Sequence, residues 1–252
     1  MRLRLRWPMP PSLATPPVVP WAEWYAKRAR IPGQGRHILF VGPTQSGKTV
    51  LARKLAELRS FVVVFGTKAR DSSLDAYLAD GYRRIESWPP KPKDLRPDST
   101  GAVRLLLWPK IVKREDLRRH RDHYARCLED AFIEGHWTIV ADEGLYLASR
   151  KGLNLDQELA DVAFGAASNK VSLYLCLQRP SGLSRVTWSS VSDAMVFHLG
   201  VTNDIRELAS LGVYDPREAA GAIKQLQGHA FLDLPCRGGA EWSISEVDLR
   251  DT

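Results

Sequence analysis

The 252-residue chain has only three cysteines, Cys127, Cys176 and Cys236, far apart and without metal-site spacing. That excludes a disulfide framework and a cysteine-ligated zinc site, and makes a reducing, cytoplasmic setting the expectation. Cys176 lies in an apolar run and reads as a small core residue. Long apolar runs are missing as well: nothing approaches the roughly 18–20 residues of a membrane-spanning helix. The basic N-terminus has no apolar h-region behind it, so no secretory leader is expected. Acidic residues are scarce at that end. Residues 1–36 hold Arg2, Arg4, Arg6, Lys27, Arg28, Arg30 and Arg36 against Glu23 alone, which places +6 of the chain's net +7 there. Such an uneven basic surface suits a polyanion, either nucleic acid or an anionic membrane surface, although a solubilising tail has the same composition. No internal repeat is present. A guanine reader is also lacking, because Asn169-Lys170-Val171-Ser172 has Ser where N-K-x-D requires Asp.

What is present is concentrated in residues 42–49, GPTQSGKT, which fit G-x-x-x-x-G-K-[ST] at every fixed position. His37 to Val41 before them form a short apolar segment typical of a buried strand. After them, Val50, Leu51, Leu55 and Leu58 recur at helical spacing. A strand, a glycine-containing loop and a helix N-terminus make a phosphate cradle, because loop N–H groups and the helix dipole both favour negative charge. Gly42 and Gly47 let the backbone turn and approach closely, with Pro43, Thr44, Gln45, Ser46 and Val50 completing the loop and the first helical turn. Lys48 is suited to the β- and γ-phosphates of ATP, and the Thr49 hydroxyl to Mg²⁺.

Such a site needs a carboxylate at the end of a neighbouring strand. Trp137 to Ala141 lead into Asp142 and Glu143. Asp142 is placed to hold the Mg²⁺ shell, and Glu143 to orient or deprotonate the attacking water. The apolar run from Val171 to Leu177 ends at Gln178, a candidate γ-phosphate sensor.

Along the whole chain, apolar runs alternate with helical patterns: strands at 38–41, 61–65, 103–108, 137–141, 171–177 and 194–199, and helices at 47–59, 72–79, 114–134, 155–168 and 203–211. That alternation predicts an α/β fold with a mostly parallel central sheet, helices on both faces, and an antiparallel edge from residues 229–244. Residues 37–252 read as a single P-loop ATPase domain. Residues 1–36 read as a basic arm, Pro-rich over 8–20, with a short helix near 21–30 whose aromatic side packs on the domain or a neighbouring subunit.

These segments resemble the FtsK/HerA-type ATPases, which pump double-stranded DNA and include chromosome translocases, conjugation coupling and secretion ATPases, and genome-packaging ATPases of membrane-containing phages. GPTQSGKT and VADEG look like the two phosphate-site motifs. FVVVFGTK (61–68) looks like the family's second strand and its lysine, although the usual Asp before that lysine is absent. VSLYLCLQRPSG (171–182) is similar to the strand ending in Gln-Arg-Pro, and DAMVFHLGVTNDIRELASLG (193–212) to the segment after it. The resemblance spans residues 37–234. It implies a RecA-like core, a homo-oligomeric ring, hexameric in the family, and an arginine acting in trans: Arg206, with Arg179 and Arg185 as rivals. The size resembles the packaging branch or a mobile-element relative, for which a capsid vertex or a membrane partner could dock on residues 1–36.

Double-stranded DNA would be held through its phosphates by Lys and Arg. Arg150 and Lys151, in a basic glycine-containing loop after the Asp-Glu strand, are candidates for a pore lining, and Arg185, read as part of a loop at 181–188, is a third. The basic helix at 114–134 has acids interleaved and reads as a solvated face or subunit contact. Two rivals remain: a motor that moves protein, as in secretion or pilus machines, and a slow ATP-dependent switch or scaffold.

Overall fold

A computed structural model describes residues 15–31, 35–110, 112–180, 182–237 and 241–249. Its centre is a nine-stranded sheet in the order β3-β4-β2-β5-β6-β1-β7-β8-β9. The strands are β1 (His37–Val41), β2 (Phe61–Phe65), β3 (Arg83–Ile85), β4 (Val103–Leu107), β5 (Thr138–Ala141), β6 (Ser172–Leu177), β7 (Val191–Phe197), β8 (Ala230–Pro235) and β9 (Ser243–Glu246). Seven strands, β1 to β7, pair in parallel, while β8 and β9 add antiparallel at one edge. The continuous apolar runs follow from this, since a parallel sheet covered on both faces buries every residue of a central strand.

Alternate residues of β1 separate two cores. Ile38 and Phe40 face α2 (Lys48–Ala56), α3 (Ser72–Ala79) and α1 (Trp21–Arg30). Leu39 and Val41 belong to the opposite core, with α5 (Arg121–Glu134), α7 (Asp156–Asn169), α9 (Thr202–Ala209) and α10 (Pro216–Gln225). Buried His37 ties α7 to the sheet. Its Nε2 lies 3.2 Å from the Ala163 carbonyl, while its Nδ1 accepts from the Leu173 amide at 3.0 Å. Burial lowers its pKa to about 4.

Part of the basic N-terminal segment is built into the domain. Residues 1–14 lie outside the described residues, but 17–19 run along the sheet edge, where Val18 bridges Ile244 and the Val19 amide donates to the Ile244 carbonyl at 2.8 Å. Helix α1 packs on the domain as expected, through buried Trp24. The Trp24 indole and the Arg28 guanidinium both bond Asp233 on β8. Arg28 and Arg36 also flank Asp193 on β7, at 3.3 and 2.7 Å. Two of the seven cations counted toward a polyanion partner are therefore matched by internal carboxylates.

Other boundaries differ from expectation. The pattern over 114–134 forms two helices, α4 (Arg114–Arg119) and α5, meeting at His120. The segment read as a loop at 181–188 contains a short helix, α8 (Arg185–Ser189), capped where the Ser184 hydroxyl accepts from the Thr187 amide. Beyond β5, a short helix α6 (Gly144–Ala148) leads into the basic turn. No described helix is long and apolar enough to cross a membrane.

Candidate nucleotide site

Four parallel strands end on one rim, each running into polar residues: β1 into residues 42–47, β2 into Thr67 and Lys68, β5 into Asp142 and Glu143, and β6 into Gln178. Crossover connections force this arrangement, and such rims are where open α/β sheets bind ligands. β6 stands between β1 and β5. Gln178 therefore ends the strand that separates the glycine loop from Asp142 and Glu143, and its side chain is exposed there.

The glycine loop has little freedom. The Gly42 amide donates to the Leu177 carbonyl at 3.1 Å, stitching the loop to β6. A Cβ on Gly42 would stand 2.7 Å from the Phe197 Cβ, so only glycine lets the chain pass β7 there. Gly47 caps α2 at φ +102°, in the left-handed region that favours glycine. His229, at the start of β8, supports the loop from behind, its Nδ1 lying 3.1 Å from the Ser46 carbonyl. Lys48 folds back to donate to the Pro43 carbonyl at 2.6 Å. Burial lowers the Lys48 pKa, against the pull of the nearby Asp142 and Glu143 carboxylates. The buried Ser46 hydroxyl has no hydrogen-bond partner among the described residues. A helix N-terminus, a lysine and an orphaned hydroxyl converging on one loop fit a polyphosphate.

The Thr49 hydroxyl donates to the Asp142 carboxylate across the gap between α2 and β5. Ser73 Oγ lies 3.5 Å from the other Asp142 oxygen. Burial pushes the Asp142 carboxyl up, and the Thr49 bond and Lys68 offset this only in part. A hydroxyl and a buried carboxylate are hard-oxygen donors that fit Mg²⁺, which retains waters and phosphate oxygens and needs few protein ligands.

Glu143 is held. Lys68 Nζ lies 2.8 Å from Glu143 Oε1 and 3.1 Å from Asp71 Oδ2. Burial alone would lower the Lys68 pKa, but its bonds to Glu143 and Asp71 raise it. Lys68 is itself anchored, because the Trp108 indole donates to its backbone carbonyl at 2.7 Å. Asp71 caps α3 by accepting from the Ser73 amide. Lys68, Asp71, Ser73 and His229 were not singled out as site residues from the sequence. The rule that found Gln178, a polar residue just past an apolar strand, applies equally to Lys68.

The basic candidates stand apart from this cluster. Arg150 and Lys151 are exposed in the turn after α6, and Arg185 is exposed in the first turn of α8. Gly152 makes that turn tight, since a Cβ there would lie 1.9 Å from the Tyr146 carbonyl. The Ser184 amide donates to Asp156 at the start of α7 at 3.1 Å, which brings the two basic segments to one corner. Arg206 is exposed on α9, and Arg179 lies 4.0 Å from Asp204. Among the described residues, neither bonds the residues of the glycine loop.

No family model and no curated protein matches the chain. Solved structures do. The genome packaging NTPase B204 from Sulfolobus turreted icosahedral virus 2, in complex with AMPPCP, superposes with TM-score 0.59 at 16% identity, over 87% of this chain and 100% of that one. The pCW3 conjugation coupling protein TcpA, in a monomer form with ATPγS, gives 0.54 at 12%, over 84% of this chain and 60% of that one. The cytoplasmic domain of the Thermomonospora curvata type VII secretion ATPase EccC gives 0.52 at 19%, over 85% and 25%. The chain shares their α/β NTPase fold, in agreement with the fold expected from its motifs.

Proposed function

We propose that this chain is an ATP hydrolase of the FtsK/HerA type that moves double-stranded DNA, in viral genome packaging or mobile-element transfer, as a homo-oligomeric ring of six copies. One observation carries the reading: a strand ending in Gln178 is interposed between the Lys48–Thr49 cradle and the Asp142–Glu143 pair. A polar side chain at that position suits a sensor that registers the γ-phosphate and passes its loss to the rest of the fold. Fold likeness to a genome packaging NTPase and a conjugation coupling protein supports DNA as the cargo.

The chemistry is positioning and charge stabilisation. Loop amides and Lys48 bind the phosphates. Thr49 and Asp142 would hold Mg²⁺, which supplies charge neutralisation on the phosphates. Glu143, once free of Lys68, orients a water and takes its proton. Gln178 reads the γ-phosphate, and Arg206 enters a neighbouring copy's site, with Arg179 and Arg185 as alternatives. Arg150, Lys151 and Arg185 hold DNA phosphates. The expected location is the cytoplasm of the cell, or the virion if the source is a virus.

The likeness to a secretion ATPase favours a second reading, a motor that moves protein. The chemistry common to both is tested by Glu143→Gln. Loss of a positioned general base should lower ATP hydrolysis by about 100-fold or more while leaving ATP binding intact. An unchanged rate would remove Glu143 from the reaction.

A further inference from the structure

A triphosphate laid along the glycine loop has a direction. Its γ end faces Glu143, at the end of β5, and β5 lies on the β6 side of β1. The nucleoside is therefore carried the other way, toward β7, β8 and β9. That side holds a hollow of about 470 Å³, within the range of small-molecule sites. One wall is Val18 to Trp21, the segment that enters α1; the other is Glu246 to Asp248, at the end of β9 and just past it.

The hollow is continuous with the loop. A Cβ on Gly47 would lie 3.7 Å from Val247 Cγ2 and 3.5 Å from His229 Nδ1. The Val247 amide donates to the His229 carbonyl at 3.2 Å, and the His229 ring is the group that backs Ser46. The first wall is tied to α2, because the Tyr25 hydroxyl donates to the Lys54 carbonyl at 3.0 Å. Helix α1 descends from the rim. Trp24 packs edge-on against Phe231, which pairs with the last residue of β7, while Arg28 bonds Asp233, which pairs deeper, with Met195. Trp21 lies about 4.5 Å before Trp24 along the helix, at the rim itself.

The lining suits a nucleoside. The Trp21 ring is held by stacking on Trp24 and Tyr25, at 5.5 and 5.4 Å, yet stays partly exposed. Val247 is buried, and Val18 is 79% exposed. Aromatic and aliphatic surfaces of this kind accept the face of a base. The carboxylates of Glu246 and Asp248 disfavour a second anionic group and accept hydrogen bonds from ribose hydroxyls or a base amino group. We infer that the nucleoside of the bound ATP lies in this hollow, its base against Trp21 and Val247. The inference rests on the glycine loop as the phosphate site, and it makes residues 18–21 part of the nucleotide site.

The test compares ATP with inorganic tripolyphosphate, which carries the phosphates without a nucleoside. In titration calorimetry on the full chain, Trp21→Ala should weaken ATP by about five-fold or more and leave tripolyphosphate unchanged. Circular dichroism checks that the variant folds. A second measurement needs no substitution: an ATP carrying a photoreactive azide on its base should label residues 18–21 or 246–248, and excess ATP or tripolyphosphate should block the labelling. Unchanged ATP affinity, an equal loss for both ligands, or label mapped outside both segments would overturn the inference while tripolyphosphate binding keeps the phosphate loop standing. If tripolyphosphate neither binds nor blocks, the phosphate site itself is wrong and the inference falls with it.

Discussion

Replacing Arg28 with methionine removes the cation that bridges two buried carboxylates. Asp193 keeps Arg36, at 2.7 Å. Asp233 keeps only the Trp24 indole, at 2.8 Å. An uncompensated buried charge costs about 3–5 kcal/mol. For a chain near this length each kcal/mol moves Tm by about 2–4 °C, so a fall of about 6–20 °C is expected at pH 7. Burial already raises the Asp233 carboxyl pKa, and Arg28 opposes that rise. Without Arg28 the folded pKa rises further. A carboxylate with a folded pKa above its unfolded value near 3.9 binds more protons in the folded state, so stability falls as pH rises through that window. The deficit of Arg28→Met should therefore shrink as pH is lowered from 7 toward 4. Adding Asp233→Asn, which removes the charge but keeps an acceptor for Trp24, should restore most of the loss. Calorimetric melts at several pH values read all three effects. A loss under about 1 kcal/mol at pH 7, or a deficit that grows toward acid, would refute the claim that this ion cluster pins α1 to β7 and β8.

Lys68→Met should free Glu143 from its ion pair. A partly exposed pair of this kind is worth up to about 1 kcal/mol, so basal ATP hydrolysis should rise by no more than about five-fold in a steady-state assay; a fall would assign Lys68 to the reaction itself. Gly47→Ala places a Cβ at φ +102°, at about 1–2 kcal/mol of backbone strain, and should weaken nucleotide binding at least several-fold by titration calorimetry. Arg150→Ala with Lys151→Ala should reduce stimulation by DNA while basal hydrolysis stays normal; if stimulation persists in full, that turn does not carry the DNA.

Much of the candidate nucleotide site was legible because its parts are local in sequence. Glycine loop, apolar strand and terminal carboxylates each declare themselves within about ten residues, and the parallel sheet follows from the alternation of strand and helix. α3 matches the helix expected at 72–79, while its Asp71 cap went unread. Elements without a periodic signal were missed. β3 is three residues long at the sheet edge, and the break at His120 is a single residue inside an uninterrupted charged pattern. α10 went unread although Asp215 followed by Pro216 is a sound start signal. Long-range pairs left no trace in the sequence at all. Lys68 and Glu143, or Arg28 and Asp233, meet only because the sheet order brings them together, so Arg28 was counted as part of a basic arm when it is an internal counter-ion.

ATP hydrolysis measured with and without long linear double-stranded DNA at moderate salt, with Lys48→Ala as the blank, addresses the motor directly. We expect stimulation of several-fold that fades as salt rises, because the proposed contacts are to phosphates. Brisk hydrolysis indifferent to DNA at every salt concentration would contradict a DNA motor and leave protein as the cargo.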